Sequence, residues 1–295
     1  MTTSGDDLIR DAVDLHYHSG PSPFPRRLDP VESAKHYDEH GFKAVVYKSH
    51  HHNTVMDVLS IKGSVLDQLR LKVFGGIALN GLVGGLNPRA VELSLRMGGK
   101  IVWFPTISSP AHIEHTHGGT TGFPTATMQL MPEAPNSVFG DDGKLKPAVY
   151  DIIQIIKEED AILASGHMSP PEIFAVFGAA REAGVQKLLV LHPDFVINLS
   201  QEQACELARM GAFIEHAINM YYRERPEWPI AKLVNWIKVV GPEHTTLGSD
   251  TGQATSPLPA EVFSRIAHQL VENGVSERDL RRIMSENPGS LVGVI

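Results

Sequence analysis

Ala12-Val13-Asp14-Leu15-His16-Tyr17-His18 is the stretch on which the fold turns. It is a short apolar run that ends in polar residues, the pattern of a strand buried in a parallel sheet. Side chains alternate along an extended chain, so His16 and His18 share one face, with Asp14 one step below them, and Tyr17 takes the other. A doubly wound nucleotide-binding sheet leaves its first strand through a glycine-rich turn. This strand leaves through two imidazoles. Seven further runs of the same kind follow, at 43–47, 72–79, 100–104, 161–164, 187–191, 212–214 and 245–248. Helix-like stretches lie between them, such as 30–40, 88–97, 171–183, 200–210 and 229–239. Several open at Pro or Ser and close at Gly, as helix starts and stops do. Strand alternating with helix makes parallel βαβ units. The polar residues ending the eight runs are His16, Lys48, Asn80, Thr106, His167, His192, His216 and Asp250. Their mean spacing of about 33 residues is close to one such unit. The sequence therefore predicts an α/β fold of the (β/α)8 TIM-barrel type, one domain over residues 1–295.

Composition narrows the function. The formal net charge of −8 argues against a nucleic-acid partner, which would need clustered positive charge. A single cysteine, Cys205, excludes an intramolecular disulfide and a thiolate zinc site. The 15 histidines stand out and direct the search to a metal site built from nitrogen and oxygen ligands. The first residues carry no basic-then-apolar leader, and no run approaches the ~18 apolar residues of a membrane span. A cytoplasmic enzyme without a membrane partner is the expectation. A homo-oligomer is compatible with the architecture, but nothing in the sequence specifies an interface.

One interval is too long. Thr106 and His167 are 61 residues apart, and the excess, 107–147, is rich in Gly, Pro and Thr. Following the fourth strand of a barrel, it is expected to lie over the mouth as a lid or substrate loop.

Active-site groups of such barrels come from the C-terminal strand ends. His16 and His18 are placed to share one metal, with Asp14 as an acceptor that orients an imidazole. Lys48 has three readings: a carbamate bridging two metals, a contact to a substrate anion, or a rim lysine. Among His50, His51 and His52, His50 is the candidate ligand. His167 and His192 leave apolar runs just before helix starts and are further ligand candidates. His216 is open between ligand, substrate contact and structural residue. Glu215 faces the opposite way, so at most one of these two points inward. Asp250, after Thr246-Leu247-Gly248-Ser249, places a carboxylate where it can take a proton from an activated water and return it to a leaving group.

Taken together, these motifs resemble the amidohydrolase superfamily of metal-dependent hydrolases. The matching features are Val13 to His18, His167, His192, Asp250 and the closing Asn287-Pro288-Gly289-Ser290-Leu291-Val292-Gly293, so that the resemblance spans about residues 11–293. It implies one or two divalent metal ions, with His16, His18 and Asp250 on one and His167 and His192 on the other. It also implies a bridging carboxylated lysine or glutamate from strand 4. That strand ends Trp103-Phe104-Pro105-Thr106 with no such group, which leaves a carboxylated Lys48 or His50 as the substitute. Ligands without thiolate suit zinc foremost, and manganese, iron or cobalt as well.

The substrate is expected to be a small molecule. His112, His115 and His117 in the long loop offer a contact to a metal or an anion, and Phe123, Met128, Leu130 and Met131 suit a cover over an apolar group. Arg223 or Arg225, after strand 7, could pair with a substrate carboxylate or phosphate. The leading expectation is hydrolysis of an amide, ester, lactone or thioester. The alternatives are a phosphoester hydrolase of the polymerase-and-histidinol-phosphatase type, or a metal-dependent decarboxylase or hydratase. The loop's cations, Lys144 and Lys146 without an arginine, count against the phosphoester.

Overall fold

A computed structural model describes residues 6–117, 125–223 and 227–295, with the backbone alone at 116 and 117. The expected alternation of strands and helices is present. All strand pairs with a defined register are parallel, and apart from Lys72, Phe74 and Phe213 the strand residues are buried. The helices start as the sequence suggests. Asp29 and Asn87 cap helices Pro30–Glu39 and Pro88–Arg96, each with Pro in the first turn. Ser200 caps Gln201–Arg209 in a capping box. No helix among the described residues is long and apolar enough to cross a membrane.

Packing divides the chain into two compact units. The first contains the chain up to Tyr47, Asp57–Phe74 and Glu215–Ile295. Its sheet runs β1 (Val13–Tyr17), β2 (Ala44–Tyr47), β3 (Lys72–Phe74), with Val13 opposite Ala44 and Ala44 opposite Lys72. The β1–β2 register slips between Asp14 and Tyr17, where His16 lies. The second unit contains Lys48–Met56 and Gly75–Ile214. In it β4 (Gly76–Ala78), β5 (Ile101–Trp103), β6 (Ile162–Ala164) and β7 (Leu188–Leu191) lie side by side in chain order. β8 (Ala212–Ala217) is the strand in which the chain passes back to the first unit, and β9 (Thr245–Gly248) follows there.

The run 72–79, expected as one strand, is two. Gly75 separates β3 from β4, and a Cβ on it would stand 2.6 Å from Val55 N and 2.7 Å from Thr54 C. The neighbouring Thr54 takes over the ladder. Its hydroxyl accepts from Gly76 N at 3.0 Å, and its N–H donates to Gly76 O at 3.1 Å. The close approach of these backbones is open only to glycine.

The C-terminal segment anchors β9. Helix Glu277–Arg281, a π-helical turn Arg282–Glu286 and helix Asn287–Val292 end at Gly293 in the left-handed conformation. Asn287 Nδ2 donates to Thr245 O at 2.7 Å and Pro242 O at 2.8 Å, and so ties down the start of the strand that leads to Asp250. Asn287→Ala leaves both carbonyls short of a donor in a buried place. The expected cost is about 2–4 kcal/mol, read as a lower urea midpoint. An unchanged midpoint would remove Asn287 as the anchor.

Candidate metal centre

In the first unit β1 and β9 lie together. Asp250 N–H donates to His16 O at 2.8 Å, and His18 N–H donates to Thr251 O at 3.0 Å. This pairing brings three side chains to one point. Asp250 Oδ1 is 3.2 Å from His16 Nε2 and 3.2 Å from His18 Nε2. His16 and His18 are buried, while the Asp250 side chain keeps 18% of its surface. With metal–ligand bonds of ~2.0–2.1 Å, two ligand atoms of a tetrahedral zinc stand about 3.3 Å apart. The spacing present fits three ligands that would hold one such cation, with Asp250 the most exposed of them. Asp250 has φ 48°, a left-handed conformation uncommon outside glycine and found preferentially at functional sites. Gly252 permits the approach of this loop to β1, because a Cβ there would lie 1.9 Å from His18 O.

A second carboxylate stands behind the first imidazole. Glu215, on β8, is 1% exposed, and its Oε1 is 2.8 Å from His16 Nδ1. With Nδ1 held there, Nε2 is the nitrogen left to bind a metal, the carboxylate–histidine–metal arrangement. Glu215 Oε2 is buried with no hydrogen-bond partner. Gly248 makes the pair possible, since a Cβ on it would stand 2.8 Å from Glu215 Cδ and 2.9 Å from His16 Cβ.

Two expectations change here. Asp14 does not orient an imidazole. Its carboxylate accepts from His16 N at 2.9 Å, Ser249 N at 3.0 Å and Tyr37 Oη at 2.6 Å, binding the backbones of β1 and β9. Burial pushes its pKa up, and these donors oppose the shift. Of the adjacent pair on β8, Glu215 is the residue that reaches His16. The strand alternation sends His216 to the other face, where its ring packs on Trp236 with centroids 5.4 Å apart. His216 is therefore not brought to the metal tripod.

Glu215→Gln is expected to weaken metal binding about 10–100-fold, the usual effect of losing such a partner. Gly248→Ala should do the same by crowding the pair. Unchanged affinity in both, measured by competition with a chelating dye, would leave Glu215 a packing residue.

The second unit gathers four more imidazoles. His167 Nδ1 is 2.9 Å from His112 Nδ1, and the two rings stack with centroids 4.8 Å apart. His192 and His50 lie 5.2 and 6.0 Å from the His167 ring, centre to centre. His50 Nδ1 meets Thr106 Oγ1 at 2.8 Å, and Asn80 Nδ2 donates to the same hydroxyl at 2.7 Å. Engagement of Nδ1 in both His167 and His50 directs Nε2 to any ligand. His192 has φ 50°. Lys48 is fully buried, with Nζ 5.7 Å from the centre of the Trp103 ring. Burial, with His115 and Lys48 nearby, pushes the His112 imidazole down to about 4, so it is neutral at neutral pH.

The other candidates are placed less centrally. His115 lies against Phe195, with ring centroids 5.7 Å apart. The side chain of His117 and the whole of Arg225 lie outside the described residues, as does Phe123. Arg223 is exposed, with Nη2 3.5 Å from Ser256 Oγ. The long loop contains an unforeseen helix, Pro110–His117, opened by a Ser-Pro pair as helix Pro170–Ala183 is. This helix is what carries His112 to His167. Met128 and Met131 are exposed. Sequence reasoning missed Glu215, whose only signal was its alternation with His216, and the place of His112, which depends on that helix.

Comparison with known proteins bears on fold and family. An amidohydrolase from Pseudomonas aeruginosa matches with a TM-score of 0.61 at 13% identity, over 98% of each chain. A probable dipeptidase from the same organism gives 0.64 at 10% identity, over 99% of this chain and 97% of the other. A lactonase from Listeria monocytogenes gives 0.59 at 15% identity, over 98% and 96%. At these identities the likeness is one of fold, which this chain shares with these three proteins. No curated protein matches the sequence. Residues 11–215, more than half of the sequence, match one family, and the chain belongs to it: the family of unknown function DUF6282.

Proposed function

We propose that this protein is a metal-dependent hydrolase that uses water to cleave an acyl bond (amide, ester, lactone or thioester) in a small, partly apolar substrate. The observation that carries the reading is the convergence of His16 Nε2, His18 Nε2 and Asp250 Oδ1, with Glu215 behind His16. The fold agrees, since proteins of the same architecture are named as an amidohydrolase, a dipeptidase and a lactonase. A divalent cation, zinc foremost, would lower the pKa of water to roughly 7 and polarise the acyl oxygen.

The chain's own residues supply the rest. His16 and His18 hold the cation, and Glu215 fixes the tautomer and basicity of His16. Asp250 is the partly exposed member of the tripod, where it can take a proton from water and deliver it to the leaving group. His50, His167 and His192, with His112 on His167 Nδ1, are the candidate holders of a second cation. Lys48, fully buried, is the candidate carbamate, which would exchange its ammonium for an anionic oxygen ligand that a cation can neutralise. The long loop 107–147 serves as the cover, with Met128 and Met131 available to close on an apolar group. Residues 1–295 act as one functional module.

The test is metal analysis of purified protein together with a screen of N-acyl amino acids, dipeptides, lactones and thioesters. About one or two equivalents of metal and turnover of at least one acyl class are expected. Protein that takes up no divalent metal, or hydrolyses none of these classes when loaded, would reject the reading. Lys48→Ala should lower two equivalents to one, and two retained would reject the carbamate.

A further inference from the structure

Beside the tripod lies a cation that the chemistry above does not use. Arg26 sits on the segment that pairs with the loop following Asp250. Arg26 bridges Gln253 in antiparallel fashion, Arg27 N–H donates to Gly252 O at 2.9 Å, and Ala254 N–H donates to Pro25 O at 3.0 Å. This short ladder fixes the Arg26 backbone next to the active-site loop. Its guanidinium is half-buried, and both Nε and Nη1 are shut from solvent with no hydrogen-bond acceptor. The charge interacts with the Asp250 carboxylate. Burial pushes the guanidinium down to about 10, while Asp250 and Tyr17 act against the fall. The group is charged at any working pH.

A buried guanidinium whose donors meet no acceptor is costly, and such groups are retained where a ligand supplies the missing partner. Guanidinium is planar and forked, and its natural complement is a planar two-oxygen anion. Nε and Nη1 lie on different edges of the fork. An oxyanion therefore arrives at Nη2, the one guanidinium nitrogen that is not shut from solvent, and takes Nε or Nη1 as its second donor when the side chain turns to open that edge. The same loop is already basic, since Arg27 Nη1 donates to Ser256 O and Arg223 Nη2 lies 3.5 Å from Ser256 Oγ. A field of this sign draws anions toward the site.

We propose that Arg26 is the receptor for a free carboxylate on the substrate, so that the hydrolysed compound is an acid whose carboxylate lies close to the scissile acyl bond. The proposal rests on the hydrolase reading for its location, and it names the substrate class which that reading leaves open. An N-acyl amino acid or a dipeptide has this form, whereas a neutral lactone does not.

The test is calorimetric titration of metal-loaded wild type and Arg26→Met with a panel of N-acetyl-L-amino acids and their C-terminal primary amides. In the wild type the acids should bind at least tenfold more tightly than the matching amides. In Arg26→Met that ratio should fall to near one, with bound metal unchanged, and Arg26→Lys should lie between because it keeps the charge without the fork. For any pair that is turned over, the kcat/KM ratio replaces the binding ratio. No acid preference in the wild type, or a preference that survives in Arg26→Met, would overturn the proposal. The two readings fail separately. Acid preference without hydrolysis keeps Arg26 as the receptor and rejects the hydrolase, while hydrolysis without acid preference does the reverse.

Discussion

Asp250→Asn should lower kcat by about 10²–10⁴, the range for loss of a general acid–base group, with the protein still folded and still holding metal. Each part of that expectation has a structural cause. Asparagine matches aspartate in shape and adopts the left-handed backbone readily, so φ 48° at this position is tolerated. The backbone bond from residue 250 to His16 O at 2.8 Å does not involve the side chain and persists. The amide oxygen can occupy the place of Oδ1, 3.2 Å from both imidazoles, so a third ligand remains beside His16 and His18. An amide cannot accept a proton near neutral pH, and that step alone is removed. The measurement is kcat beside metal content on the same preparation. Near-normal kcat would remove Asp250 as the base. Loss of metal in parallel with loss of activity would make it a ligand without a proton-transfer role.

The candidate site was legible to the extent that it depends on the period of the strands. Apolar runs ending in His16, His167, His192 and Asp250 locate strand ends, and the alternation along β1 puts His16 and His18 on one face. What the period could not show is lateral contact. Asp14 and His16 share a face, yet the partner of His16 comes from β8, distant in sequence, and Asp14 is taken by backbone donors instead. The choice between Glu215 and His216 depends on which face of β8 turns inward, and a three-residue apolar run does not state it. Gly75 split a continuous run because Thr54 packs where a side chain would stand, a tertiary fact without a local signal. Arg26 was invisible for a similar reason. It belongs to no strand end, and its place follows from the bridge to Gln253 and the interaction of its charge with Asp250.

Chelation is expected to abolish turnover and to destabilise the protein. A ligand present at 1,000 times its Kd and bound only by the folded state adds about 4 kcal/mol. In a chain of this length that corresponds to a fall in Tm of the order of 10 °C when the metal is stripped. The site gives reasons for a large effect. His16 is fully buried, His18 nearly so, and Glu215 is 1% exposed with one oxygen lacking a hydrogen-bond partner. Buried polar groups of this kind are costly without the partner for which they are arranged. Protons compete with the metal for the imidazoles, so the protection by metal should shrink as the pH is lowered. The control is the His16→Ala, His18→Ala double variant, which lacks two of the three ligands. Its Tm should lie near that of the stripped wild type and should not respond to chelator or to added zinc. A chelator-induced fall of equal size in the double variant would place the stabilising metal elsewhere, with the histidines of the second unit as the next site to mutate. A wild type whose Tm and metal content are unmoved by prolonged chelation and that still turns over would mean that its catalysis needs no exchangeable cation.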